Sequence, residues 1–432
     1  MNKDNTETKR KRIVSSEKSV KSHRGEHTIR LFFEGSYEQL VNSSENFRAY
    51  IDKYFSQHPE VFPLGFEKGY KFHDKIVSKK VKGLIIRRIR LKDGSVYQLV
   101  PSSIMPYLTG QTDQVSKGLL LRHWGVPYEI IALLLGRNAT YWENNEESLA
   151  RMSLIGSISK SNSIPENLAA DEKITYWNGK EAYIALTSAQ EVVLGAELSM
   201  KEDTEGLQQA YGIFQTEALA CEPNYKPISV NLDGWKATNE SWRNLFPSIT
   251  IVLCFLHAFI KIRNVGKSLK EKFYEIGTQI WDVYRQKTKE DFENSIAALL
   301  VWAESHVLDN QGVKAKIIDL CGKVSKFAVA YNYPQCYRTS NQIDRPMNLL
   351  ERYLYQIRYF HGNRDSGNNK IRAWAMIYNF MPFTGRVQKR TEKPKKQSRF
   401  EEFNGFVYHK NWLQNLLIAG SMNASRTRHR IC

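Results

Sequence analysis

Residues 228–263 read ISVNLDGWKATNESWRNLFPSITIVLCFLHAFIKIR, and the rest of the chain is organised around this stretch. Two short apolar runs, 228–232 and 249–256, have the length and β-branched content of buried strands. The first ends in Asp233-Gly234. A carboxylate at the carboxyl end of a buried strand sits at the sheet rim, where open α/β sheets place their chemistry. A solvated Asp-Gly turn is the plain alternative. Residues 235–245 read as a short helix closed by Pro247, and Cys254, His257, Lys261 and Arg263 follow the second run.

Upstream, 168–177 is a candidate strand carrying Asp171 and Glu172, and Asn178-Gly179 is a hairpin turn. Residues 182–186 and 192–198 give two more strands, and 204–219 a helix with Leu207, Tyr211, Phe214 and Ala218 on one face. Three strands in a meander, then helix, strand, helix, strand, is the order of a ribonuclease H-like α/β domain. In that fold an Asp on the first strand lies beside one at the end of the fourth, the positions of Asp171 and Asp233. Successive strand residues face opposite sides, so only one of Asp171 and Glu172 can point at a shared site.

Downstream, 265–336 is helical by pattern, with Phe273, Ile276, Ile280 and Val283 sharing one face, and reads as an inserted helical subdomain. Gly266-Lys267-Ser268 lacks the upstream glycine of a phosphate-binding loop, since Lys261 stands there. From 338 a helix runs to about 359 with Ile343, Met347, Leu350, Leu354 and Ile357 as its buried stripe. Asp344, Asn348 and Glu351 lie together on an adjacent face.

Three carboxylates on two strands and one helix suit a pair of hard cations, Mg²⁺ or Mn²⁺, which take oxygen ligands. Two such ions roughly 3.5–4 Å apart can activate water on one side of a phosphodiester and stabilise the leaving oxygen on the other. Clustered like charges repel, so such a site asks for cations.

With these residues in place, the chain resembles the DDE/D-class bacterial insertion-sequence transposases related to the Mutator-like group. Four features carry the resemblance: Asp171 on an apolar strand start; Asp233 before Gly234, with Cys254 and His257 one strand later; the helical insertion; and a third acid in Thr339-x-Asn341-x-x-Asp344. It covers about 166–380. The Mutator-like pattern usually has Glu at the third position, which leaves Glu351 as the alternative to Asp344. The resemblance implies that Asp171, Asp233 and Asp344 are catalytic metal ligands, and that Cys254, His257 and Asn341 support them. A zinc site wants four ligands; Cys336 and His361 could in principle join Cys254 and His257 in one.

The N-terminal part frames this core. Residues 1–28 read as a disordered basic arm, and 29–165 as a DNA-binding region whose portion 29–105 has no assignable fold. Residues 85–91 interleave Arg87, Arg88 and Arg90 with apolar positions and read as an exposed strand with a basic face. Between about 115 and 152, two helices joined through Gly136-Arg137-Asn138 fit a helix-turn-helix, or else an ordinary three-helix cluster. Arg137, Asn138, Thr140, Asn144, Asn145 and Arg151 are its candidate DNA contacts, with Lys261 and Arg263 further on. Residues 153–166 read as a linker. The catalytic domain then spans 166–264 and 337–380 around the insertion at 265–336, and 381–432 is a basic C-terminal tail.

Composition agrees. The chain of 432 residues carries 62 Lys+Arg against 45 Asp+Glu, a net charge of +17, which points to a polyanionic partner. No apolar run approaches the roughly 18–20 residues of a membrane span. Five scattered cysteines fit a reducing compartment rather than a disulfide framework.

The expectation is a DNA transposase that binds terminal inverted repeats, hydrolyses phosphodiesters at the element ends and joins the 3′-hydroxyl to target DNA. It would act as a homodimer or larger assembly on DNA, in the bacterial cytoplasm and nucleoid, with no membrane and no small-molecule substrate. The alternative is a non-catalytic helix-turn-helix regulator with a decayed nuclease-like core.

Overall fold

The computed structural model describes residues 28–106, 109–158, 164–307, 310–383 and 397–421. The expected basic arm, apart from Thr28, lies outside them, as do the basic positions at 386–396 and 426–430. Among the described residues no helix is long and apolar enough to cross a membrane.

The first unit is a four-stranded sheet. Strands β1 (Thr28–Leu31), β2 (Tyr70–Val77), β3 (Ile85–Leu91) and β4 (Val96–Pro101) run in the order β1-β4-β3-β2, with only the β1–β4 pairing parallel. Helices α1 (Tyr37–Asn42) and α2 (Ser44–Gln57) are capped by Ser36 and Ser43. Val41, Phe47, Ile51 and Tyr54 of these helices are buried in the same core as the sheet. The basic face expected on 85–91 is only partly there. Arg87 is buried, its guanidinium 4.3 Å from the Phe72 ring centroid and donating to the Val41 carbonyl at 2.8 Å, while Arg88 pairs with Asp74. Alternation along the strand set Arg87 inward, where an aromatic pocket takes the cation.

Three helices follow: α3 (Thr112–His123), α4 (Tyr128–Leu135) and α5 (Ala139–Leu149). Gly118 lets α3 and α5 approach closely, since a Cβ there would stand 2.2 Å from the Trp142 ring. Helix α4, apolar in sequence, buries only Ile131 and leaves Ile130, Leu133 and Leu134 exposed. The expected linker instead forms α6 (Leu154–Ile158), all five residues of which are buried.

The second sheet has the order β7-β6-β5-β8-β9. Strands β5 (Asn167–Trp177), β6 (Lys180–Ala189) and β7 (Val192–Ser199) form an antiparallel meander. Helix α7 (Thr204–Cys221) leads to β8 (Ser229–Leu232), parallel to β5, and α8 (Lys236–Leu245) leads to β9 (Thr250–Leu253), parallel to β8. Both turns of the meander are left-handed at two residues, Asn178-Gly179 and Gln190-Glu191.

Helices α9 (Phe255–Val265), α10 (Glu271–Tyr284), α11 (Lys289–His306), α12 (Gln311–Cys321) and α13 (Val324–Ala328) enclose a hydrophobic core separate from that of the sheets. The chain then returns as α14 (Asn341–Gln356), packed on β5 and β6. Pro346 inside α14 has no amide hydrogen to give the Gln342 carbonyl; Ser188 Oγ donates to that oxygen instead, at 3.1 Å. Helix α15 (Arg364–Phe380) lies along the free edge of β7. Asn379 and Asn368 bond the edge-facing backbone of Val193 and Leu198 there, at 2.8–2.9 Å, which closes an edge otherwise open to another strand. Beneath it Arg372 is buried between Glu197 and Glu217 and donates to the Met152 carbonyl at 3.0 Å.

Residues 397–421 are not a tail. The helix Trp412–Ala419 is buried at all eight positions and packs on α3, α6 and β1. Ser102 Oγ donates to Gln414 at 2.8 Å, and the Arg30 amide donates to Ser421 Oγ at 3.2 Å. The N-terminal sheet, the five-stranded sheet and this helix share one core.

Candidate active site

Backbone register brings the first two acids together. Strands β5 and β8 run parallel with Ala169 opposite Asn231, so Asp171 and Asp233 each lie two residues further on at the same end. Asp233 leaves the strand into a tight turn: its Oδ1 accepts the Trp235 amide at 2.7 Å. Gly234 has φ 95°, and a Cβ there would stand 2.6 Å from Leu253 Cδ1. The positive φ demands glycine; the leucine tip could shift aside.

The second apolar run ends sooner than its composition suggests. The Cys254 amide closes onto the Leu232 carbonyl at 2.8 Å, and Cys254 becomes the residue capping α9. His257 therefore stands in the first turn of a helix, with Nε2 3.8 Å from Asp171 Oδ2. Cys254 Sγ accepts the Ser340 amide at 3.2 Å, and the Phe255 amide bonds the Arg338 carbonyl at 3.0 Å. Asn231 donates to the Tyr337 carbonyl at 3.0 Å. These three ties fix the start of α14 against the ends of β8 and β9, and Asp344 lies in its first turn.

Charge reflects this convergence. Burial pushes the Asp171 carboxyl up to about 6; Asp233 and Asp344 act the same way, while His257 and the Glu172 amide oppose. Burial works against a charged His257, but Cys254, Asp171 and Asp233 together carry it up to about 9. Burial also raises the Asp344 carboxyl, against Ser340 and His257. Three carboxylates and one imidazolium thus share the site, a set of hard oxygen donors short of positive charge, which fits divalent ions by chemistry. Among the described residues no three His, Cys, Asp or Glu side chains are gathered tightly enough to hold an ion as they stand.

Glu172 faces the other side of β5. Its Oε1 accepts from Thr238 Oγ1 at 2.7 Å and from Tyr211 Oη at 2.8 Å, and burial pushes it up to about 7. Glu351, the alternative third acid, is 61% exposed and pairs with Lys173 at 3.1 Å. Asn341 is exposed, and its side chain makes no hydrogen bond among the described residues. Cys336 bonds the Ala330 carbonyl and His361 the Arg358 carbonyl, so neither completes a zinc set with Cys254 and His257.

Of the candidate DNA contacts, Arg137, Asn138, Thr140, Asn144 and Arg151 are exposed. Asn138 caps α5, accepting the Tyr141 amide at 2.8 Å. Asn145 is a correction: it is buried, and its amide donates to the Tyr141 carbonyl at 2.7 Å, one turn back in its own helix. Lys261 and Arg263 are exposed on α9, and Lys261 lines a cleft that begins at Asp233. Sequence reasoning missed Arg243, Lys316, Lys323 and Lys326 in that cleft. Their only signal was the seven-residue spacing of Lys316 and Lys323.

No protein-family model matches the chain, and no curated protein matches it. Among solved structures it is similar to the Mos1 transposase paired-end complex with left transposon end. That match is 11% identical and covers 52% of this chain and 79% of that chain, with a TM-score of 0.16. A TM-score so low carries no argument about fold or activity.

Proposed function

We propose that this chain is a metal-dependent DNA transposase that cuts at element ends and joins the 3′-hydroxyl to target DNA. The observation that carries the reading is the convergence of Asp171, Asp233 and Asp344 from β5, β8 and α14 beside His257. The strand order, a three-stranded meander flanked on one side by two parallel strands, supports a ribonuclease H-like core. The net charge of +17 supports DNA as partner, and the exposed polar start of α5 supports a helix-turn-helix reader of terminal repeats.

Asp171, Asp233 and Asp344 would hold Mg²⁺ or Mn²⁺, which supplies water activation and stabilises the leaving oxygen. The chain's own part is positioning. The Asx turn at Asp233 aims that carboxylate, Cys254 and Asn231 pin the entry to α14, and His257 balances the buried charge on Asp171. No side-chain nucleophile is required, since water and then the 3′-hydroxyl attack.

The rival reading, a non-catalytic DNA-binding regulator, draws on the absence of three gathered ligands among the described residues. The test is nicking of DNA from the ends of the encoding element with Mg²⁺ or Mn²⁺. The expected result is cleavage by the unaltered chain and at least about a hundredfold loss in Asp233→Asn, a loss of about 2.7 kcal/mol of transition-state stabilisation, with DNA binding kept. Undiminished cleavage in Asp233→Asn, or none by the unaltered chain with either ion, overturns the reading.

A further inference from the structure

The cleft that begins at Asp233 has a volume of about 230 Å³ and is walled by α8 and α9 on one side and by the inserted helices α12 and α13 on the other. Arg243, Lys261, Lys316, Lys323 and Lys326 line it, against the carboxylates of Asp233 and Asp319. Lys323 is held by Asp319 at 2.7 Å. Among the described residues, Arg243, Lys261, Lys316 and Lys326 have no carboxylate partner. Lysines on helices usually project singly into solvent. Here cations from four different helices converge on one cleft and outnumber its two carboxylates, which leaves the cleft with net positive charge that favours an anionic ligand. Leu253, Ala258 and Leu320 give the cleft an apolar floor.

Resting on the reading above, we infer that this cleft seats the sugar-phosphate backbone of one DNA strand and that the helical insertion serves as its outer wall. Phosphates meet the lysines and Arg243, sugars lie on the apolar floor, and the strand leads to the carboxylates at Asp233. The insertion thereby gains a role in holding substrate that its separate core does not by itself explain.

The test is binding of a labelled single-stranded 20-mer to the full chain across a salt series, without divalent ions. Each neutralised phosphate contributes about 0.7 to the salt slope for single strands. Replacing Lys316, Lys323 and Lys326 together by Gln should therefore make the slope shallower by about 2. The same change at Lys267, Lys287 and Lys289, exposed on the insertion but outside the cleft, should leave it within about 0.5. Circular dichroism checks folding, and Lys316→Arg/Lys323→Arg/Lys326→Arg should restore the slope.

Equal slope changes in the two Gln sets overturn the inference, because general charge would then explain binding. Inorganic phosphate competing as strongly per phosphate as the strand also overturns it, leaving a simple anion site. If the slope is untouched while metal-dependent cleavage persists, the cleft assignment fails and the transposase reading stands. A slope that falls as expected in a chain that never cleaves leaves the cleft and removes the transposase.

Discussion

The third acid can be assigned by experiment because the structure separates its two candidates. On β5, Lys173 follows Asp171 by two residues on the same face, about 6–7 Å along the strand. On α14, Glu351 follows Asp344 by seven, about 10 Å along the axis. Lys173 and Glu351 meet at 3.1 Å, so helix and strand run side by side with Asp344 at the level of Asp171 and Glu351 displaced toward Lys173. Glu351 is therefore about two helical turns from the other acids, in an exposed ion pair that contributes about 0–1 kcal/mol to stability. Asp344→Asn should lower Mg²⁺-dependent cleavage at least a hundredfold, about 2.7 kcal/mol at 1.36 kcal/mol per decade, with folding and DNA binding kept. Glu351→Gln should lose less than about tenfold, and its unfolding midpoint should barely move. The assay is single-turnover cleavage of labelled element-end DNA at saturating Mg²⁺. An inactive Glu351→Gln beside a normal Asp344→Asn would sink the assignment and the side-by-side geometry behind it.

Other outcomes follow from the same contacts. Asp171→Asn should abolish cleavage, whereas Glu172→Gln should keep most of it, since an amide oxygen still accepts from Thr238 and Tyr211; the reverse result would shift the β5 register by one residue. Arg372→Met leaves Glu197 and Glu217 buried without their cation and should cost about 3–5 kcal/mol at pH 7 in urea unfolding. Burial raises Glu197 while Arg372 lowers it, so without Arg372 the folded state takes up this proton at higher pH than the unaltered chain does, and protonation relieves the unpaired charge. Part of the Arg372→Met loss should thus return at pH 5, and a loss that deepens there would refute the account. Burial, with Arg399, holds His123 down to about 3, whereas an unfolded imidazole titrates near 6.5. The unfolded chain then binds the extra proton, so this contribution is intact above pH 6.5 and is lost as pH falls. His123→Phe should make stability less acid-sensitive by about 2 kcal/mol between pH 6.5 and 5, as read by urea unfolding at the two pH values.

The legible parts of the chain were those whose signals are local. The stretch from β8 to β9 is where its apolar runs and turn residues put it, and the Asn178-Gly179 hairpin carries its own turn chemistry. The end of β9 was misjudged because Cys254-Phe255-Leu256 continues the apolar run; what ends the strand is an amide closing onto Leu232, which composition does not display. The turn at Gln190-Glu191 had no glycine to announce it. Tyr337 and Gln342, some 150 residues away, accept its two amides. Asn145 is expected on DNA as a polar residue of the proposed reading helix, but it lies on a buried face of α5, which packs against α3, α4 and α15. The helix Trp412–Ala419 was obscured by the basic residues on either side of it. Among the acids, Asp171 and Asp233 were visible through strand ends, while choosing between Asp344 and Glu351 required the packing of α14.

The return of Trp412–Ala419 to the first sheet sets a schedule for biosynthesis. Ser421 bonds Arg30 across 391 positions and Gln414 bonds Ser102 across 312. A ribosome adding about 5–20 residues per second takes roughly 20–80 seconds to travel from β1 to that helix. Until then the surface of β1, α3 and α6 on which that helix packs, formed once α6 has been made, has no cover. The four-stranded sheet is thus completed only late, and on a growing chain that surface stays open until the closing helix emerges. A chain that stops before residue 412 lacks the helix that covers this apolar face and leaves the face open to water.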